Sequence, residues 1–107
     1  MSDFSIKVGD TSPAILVELS PSDVDVSGAS VVFNMWDRRT KTVKIDRAAA
    51  TIVAASGPAQ LSYAWAVGDT DTEDTFEAEF EVTYVDGSVE TFPNDSYIRV
   101  NVKSDIA

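Results

Sequence analysis

Thr75-Phe76-Glu77-Ala78-Glu79-Phe80-Glu81-Val82-Thr83-Tyr84-Val85 decides the fold. Phe76, Ala78, Phe80, Val82 and Tyr84 alternate with Glu77, Glu79, Glu81 and Thr83. Side chains of a strand point to opposite faces in turn, so this stretch has one apolar face and one acidic face. A helix would scatter the same residues around its circumference. The run ends at Asp86-Gly87, a dipeptide that favours a type I′ turn because Gly accepts positive φ. Residues 88–92 then return as the partner strand of a hairpin.

Strand signals continue outward from this hairpin. Residues 30–37 put Val31, Phe33 and Met35 on one face and Val32, Asn34 and Trp36 on the other. Residues 59–65 align Leu61, Tyr63 and Trp65, and residues 97–103 align Ile98, Val100 and Val102. Residues 14–19 are apolar enough for a further strand. Residues 42–46 and 49–54 read as another pair. The alanines of residues 47–55 also suit a helix, but Thr51-Ile52-Val53 and the short length favour a strand. Turn residues separate these runs: Ser20-Pro21-Ser22, Ser27-Gly28, Ser56-Gly57-Pro58, Gly68-Asp69 and Pro93-Asn94-Asp95. Short strands at this spacing predict an all-β, antiparallel immunoglobulin-like sandwich of about seven to nine strands. The expectation is one domain over residues 1–107, with residues 1–8 an edge strand or arm and residues 104–107 frayed.

The chain has no cysteine and no histidine. Disulfides and thiolate metal sites are therefore excluded. So are the commonest general base and the most reactive nucleophile. Neither an SxxK nor a GxSxG pattern occurs. A carboxylate pair of the glycosidase kind has abundant acids to draw on, but such enzymes usually use a larger scaffold. We expect no enzymatic activity and no cofactor. The sequence shows neither a basic-then-apolar leader nor an apolar run of roughly 18 residues. The expectation is a chain with no secretory signal and no membrane partner.

Charge is the most unusual feature. Eighteen acidic and 8 basic residues give a net charge of −10. Duplex binding requires cations that displace counterions, so nucleic acid is not an expected partner. Arg38, Arg39, Lys41, Lys44 and Arg47 are bunched together, whereas residues 69–90 hold acids and no base. Such runs usually face water. Alternatively, the basic hairpin (Arg38, Arg39, Lys41, Lys44) and the acidic face (Glu77, Glu79, Glu81) form complementary surfaces that meet between neighbouring subunits, which allows a homo-oligomer.

Three smaller patterns have two readings each. Asp69, Asp71 and Glu73, with Asp74, resemble the start of a calcium loop. However, Asp74 stands where that loop needs Gly and Phe80 where it needs Glu. A solvated acidic loop is the plainer reading. Trp36 and Trp65 are either core residues or a sugar-stacking platform. Arg38 and Arg39 are either turn charges or phosphate contacts. No small-molecule ligand is expected.

Val8-Gly9-Asp10-Thr11 with Pro13, then Asp25-Val26-Ser27-Gly28-Ala29 before Val31 and Phe33, open a longer pattern. Leu61, Tyr63, Trp65 and Gly68-Asp69-Thr70 continue it, followed by Phe76-Glu77-Ala78-Glu79-Phe80, Tyr84, Asp86-Gly87 and Phe92-Pro93-Asn94. Over about residues 6–102 this order resembles the N-terminal immunoglobulin-like domain of tailed-phage baseplate upper proteins. Asp74 departs from it, since that family usually has Gly there. The resemblance implies a virion structural protein, an adaptor or decoration domain of the tail or baseplate, assembled in the host cytoplasm. Its partners would be other phage structural proteins, and no catalytic residues carry over. The alternative is a carbohydrate- or cell-surface-binding module that uses Trp36 or Trp65.

Overall fold

In the computed structural model, which describes residues 3–104, strands make up all the regular structure. They are β1 (Asp3–Lys7), β2 (Ile15–Glu18), β3 (Ser30–Asp37), β4 (Val43–Ala49), β5 (Thr51–Ala54), β6 (Gln60–Tyr63), β7 (Asp74–Thr83), β8 (Val89–Phe92) and β9 (Ile98–Lys103). One sheet has the order β1-β9-β7-β3-β4, with β8 pairing β7 beyond the end of β9. The other has the order β2-β6-β5. Two facing sheets, antiparallel throughout except for β1 beside β9, make this an immunoglobulin-like β-sandwich, as the alternation predicts. β1 lies at one edge of the large sheet and runs parallel to β9. Residues 1–2 and 105–107, part of the expected arm and frayed end, lie outside the described residues.

The alternating residues do what their period requires. Phe76, Ala78, Phe80 and Val82 of β7 are buried, as are Val31, Phe33 and Met35 of β3 and Ile98, Val100 and Val102 of β9. Leu61 and Tyr63 close the core from the small sheet. Phe33 joins the two layers. Its ring stacks on Tyr63 of the opposite sheet at 4.5 Å and 8°, and meets Phe80 of its own sheet at 5.0 Å. Trp65 presents an edge to it at 5.7 Å. Offset and edge-on contacts of this kind add to the burial energy of the rings. The Trp65 indole N–H donates to the Pro13 carbonyl at 3.1 Å, so burial leaves no orphan donor.

Two sequence expectations are corrected. Residues 42–46 and 49–54 do not form a hairpin. β4 pairs with β3 in the large sheet, whereas β5 pairs with β6 in the small one. The chain changes sheets at Ala50, whose N–H is held by the Val31 carbonyl at 3.0 Å. Just upstream, Arg47 takes φ of 53°, in the irregular register between β3 and β4. Sheet-switching by a local bend is one way sandwiches turn corners. The turn after β7 is not type I′ either. Gly87 has φ of 90°, but Asp86 is not in the positive region. The Gly87 N–H donates to the Tyr84 carbonyl at 2.9 Å, and the Tyr84 N–H to the Ser88 carbonyl at 2.8 Å. The loop therefore has three residues, Val85-Asp86-Gly87, with Gly at the left-handed position. Asp86 prefers to accept from the Ser88 N–H and hydroxyl at 2.9 and 2.6 Å.

A second crossing point lies at the end of the sandwich. The Gly9 N–H donates to the Thr70 carbonyl at 2.9 Å, and the buried Thr70 hydroxyl donates to the Asp10 carbonyl at 2.7 Å. Two Gly-Asp-Thr segments far apart in sequence thus tie the β1–β2 connection to the β6–β7 connection.

Phe33→Ala should remove the ring that joins the layers and leave a cavity, lowering unfolding free energy by about 3–5 kcal/mol. Urea unfolding followed by near-UV circular dichroism measures this. A loss below about 1 kcal/mol would mean the inter-sheet stack contributes little.

Candidate interaction face

The outer face of the large sheet collects the residues that the core rejects. Glu77, Glu79 and Glu81 rise from β7 in a row. On β3, Trp36, Asn34 and Val32 stand directly across from them. Arg99 of β9 lies across from Glu77 on the other side. The basic residues of the β3–β4 hairpin fold over this row. Lys41 Nζ reaches Glu77 Oε1 at 3.1 Å, and Arg47 pairs with Glu81. Lys44 reaches Asp71 Oδ1 at 2.5 Å. The basic and acidic segments that the sequence suggests as surfaces of two subunits therefore meet within one chain. Antiparallel pairing of β3 with β7 brings them together. Arg38 and Arg39 are exposed on the turn, whose amides are capped by Asp37; the Arg39 and Thr40 N–H groups donate to Asp37 Oδ1 at 2.9 Å.

Trp36 corrects another expectation. It is not a core residue, because it is on the β3 face opposite Phe33 and Met35. Its ring meets Tyr97 edge-on at 5.1 Å and 87°. Its indole N–H donates to Glu77 Oε1 at 3.0 Å. Tyr97 is 42% exposed, so the aromatic pair reaches solvent. Trp65, by contrast, is in the core at 5% exposure.

Glu77 and Glu79 are neighbours on one face but are in different electrostatic states. Burial pushes the Glu77 carboxyl up, but Lys41, the Trp36 N–H and Arg38 outweigh it and hold the group below its ordinary value. Glu79 is pushed above its ordinary value by burial and by Glu81. No side-chain hydrogen bond or ion pair to Glu79 occurs among the described residues; Lys41 and Arg47 pair with Glu77 and Glu81 on either side of it. Desolvation without a counter-charge is the physical cause.

The acidic loop is used differently. Asp69 Oδ2 accepts from the Tyr63 hydroxyl at 2.6 Å and from the Ala66 N–H at 2.8 Å. Burial, then Asp69, raise the Tyr63 phenol. Asp71 is engaged with Lys44 and with the Thr72 hydroxyl. Glu73 is exposed. Among the described residues, no group of three or more such side chains is arranged to hold a metal ion.

The fold and this face together define an all-β sandwich domain with a charged, partly aromatic outer surface. No family model matches the chain, and no curated protein matches it. Among solved structures it is similar to CopC from Methylosinus trichosporium OB3b, with 15% identity, a TM-score of 0.53, and coverage of 100% of this chain and 89% of that one. At this identity the likeness shows the fold. With no family or curated match behind it, and CopC the neighbour found, the expected role as a virion adaptor or decoration domain of the tail or baseplate is withdrawn. The alternative carbohydrate- or cell-surface-binding module finds no support either, and Trp65, one of its two candidate residues, is in the core.

Glu79→Gln should make the domain more stable at neutral pH, by under about 1 kcal/mol because the carboxylate keeps solvent contact. The sign follows from the raised carboxyl. Its penalty is absent while the group is protonated and appears as pH rises past the ordinary value of 4.5. The gain should vanish below about pH 4, where the native Glu79 is itself neutral. Urea midpoints at pH 3.5 and pH 7 test this; an equal gain at both would remove electrostatics as the cause.

Proposed function

We propose that this domain is a non-catalytic binding module that takes a positively charged segment of another polypeptide on the outer face of its large sheet. The observation that carries this reading is that Glu79, partly desolvated and without an ion pair among the described residues, shares one sheet face with the half-buried Trp36 and the exposed Tyr97 that packs on it. An arginine or lysine from outside would complete the row that Lys41 and Arg47 leave unfilled. It would also stack against an aromatic face, an arrangement that contributes about 0.5–2 kcal/mol. Arginine suits the site better, since its planar group binds a carboxylate in two-pronged fashion and stacks on rings. The net charge of −10 would steer such a partner and disfavour two copies meeting through this face.

The composition does not direct this reading towards a soft transition metal. Soft transition metals select thiolate, thioether and imidazole ligands. This chain has no His and no Cys, and Met35 is fully buried.

Titration with a hexa-arginine peptide, followed by the indole N–H signals in 15N-labelled protein, tests the proposal. The Trp36 signal should shift saturably while the Trp65 signal stays in place. Glu79→Gln combined with Tyr97→Ala should weaken the peptide at least tenfold without changing the fold. Unmoved Trp36, or equal affinity in the double variant, would overturn it.

A further inference from the structure

A second surface stands apart from the outer face. β2 is the end strand of the small sheet, so one of its sides has no strand beside it. Next to that free side, a notch of about 400 Å³ opens between β2 and the connection from β8 to β9. Val17, Leu19, Phe92 and Ile98 line it, and the last three are almost wholly buried. Glu18 and Asp95 stand exposed at its margin, and no basic residue lines it.

The alternation of β2 sets what could occupy this place. Ile15 and Val17 turn towards the core, whereas Leu16 and Glu18 turn outward. A strand added to the free side of β2 would follow the same pleat. Its inward residues would enter the notch over Val17, Leu19, Phe92 and Ile98. Its outward residues would lie beside Leu16 and Glu18. The volume is at the low end for ligand sites, suited to one or two aliphatic side chains rather than a cofactor. The acidic margin selects a cation at the outward positions.

We propose that this notch is a strand-addition site for an extended partner segment in which apolar and basic residues alternate. Backbone hydrogen bonds to β2 would supply affinity, and the notch and margin would supply selectivity. The inference does not depend on the outer face of the large sheet, because the two surfaces involve different residues. They are nevertheless adjacent: Ser96 and Ile98 line the notch, whereas Tyr97 between them packs on Trp36.

The test uses the blocked peptide Lys-Leu-Lys-Leu-Lys-Leu as probe, with amide shifts of the 15N-labelled protein as readout. Shifts should concentrate at residues 15–20 and 92–98. Serine in place of leucine, or glutamate in place of lysine, should each weaken the peptide at least tenfold. N-methylation of alternate peptide amides should do the same, because it removes strand pairing. The double variant Glu18→Lys and Asp95→Lys changes exposed residues; it should keep the fold and lose the peptide. Equal affinity for the serine peptide, indifference to N-methylation, or no saturable shift at millimolar peptide would each overturn the inference. A response confined to Trp36 and Tyr97 would also overturn it while leaving the outer-face reading intact. Saturable shifts at residues 15–20 would support it whether or not the Trp36 signal also moves.

Discussion

The stack of Phe33 on Tyr63 is the contact on which the rest of the structure depends. It links a central strand of the large sheet to the middle strand of the small sheet. Phe80 and Trp65 pack against the same ring, and the core continues outward from them. Because the inner faces of β3 and β7 are fixed by these rings, their outer faces are fixed too. A residue one position away from a core ring must face solvent. Trp36 and the row of glutamates owe their place on the outer face to that parity.

The outer face resolves an electrostatic problem that the sequence creates. Three glutamates at every second position of one strand repel each other, and like charges on one face destabilise a sheet. Lys41 and Arg47 relieve the two outer members, but Glu79 in the middle stays uncompensated. Individual exposed pairs of this kind contribute little to stability. Their larger effect is to leave one carboxylate distinct from its neighbours, on the face that also carries Trp36. Tyr84 shows the converse, since burial and its bond to Glu90 push its phenol up to about 12 without leaving either group unpartnered.

The connection between β8 and β9 is short, but it borders two different surfaces. Phe92 to Ser96 and Ile98 line the notch beside β2, whereas Tyr97 packs on Trp36 of the aromatic face of the large sheet. The segregation of charge bears on both surfaces. With few basic residues, and those mostly on one hairpin, the margin of the notch and the centre of the glutamate row are left without cations of their own.

The sequence by itself determined the strands, their facing and the character of the core. Alternation at 76–84, 31–36 and 98–102 is a local property, because the pleat makes neighbouring side chains diverge whatever lies beyond. The acidic face of β7 and the turn at Gly87 were legible for the same reason. Tertiary structure alone decided what those faces meet. The sequence places residues 42–46 beside 49–54, yet the chain bends at Ala50 and sends them to different sheets. Local pattern does not specify which edge a strand will join. Similarly, the basic hairpin and the acidic strand read as surfaces for different subunits, until the pairing of β3 with β7 sets them against each other. Trp36 and Trp65 look alike in composition, but one residue of register places the first outside and packing places the second within. The tie between Gly9-Asp10 and Thr70, the unmatched charge of Glu79 and the notch beside β2 arise from segments distant in the chain, and proximity in space is what sequence pattern leaves open.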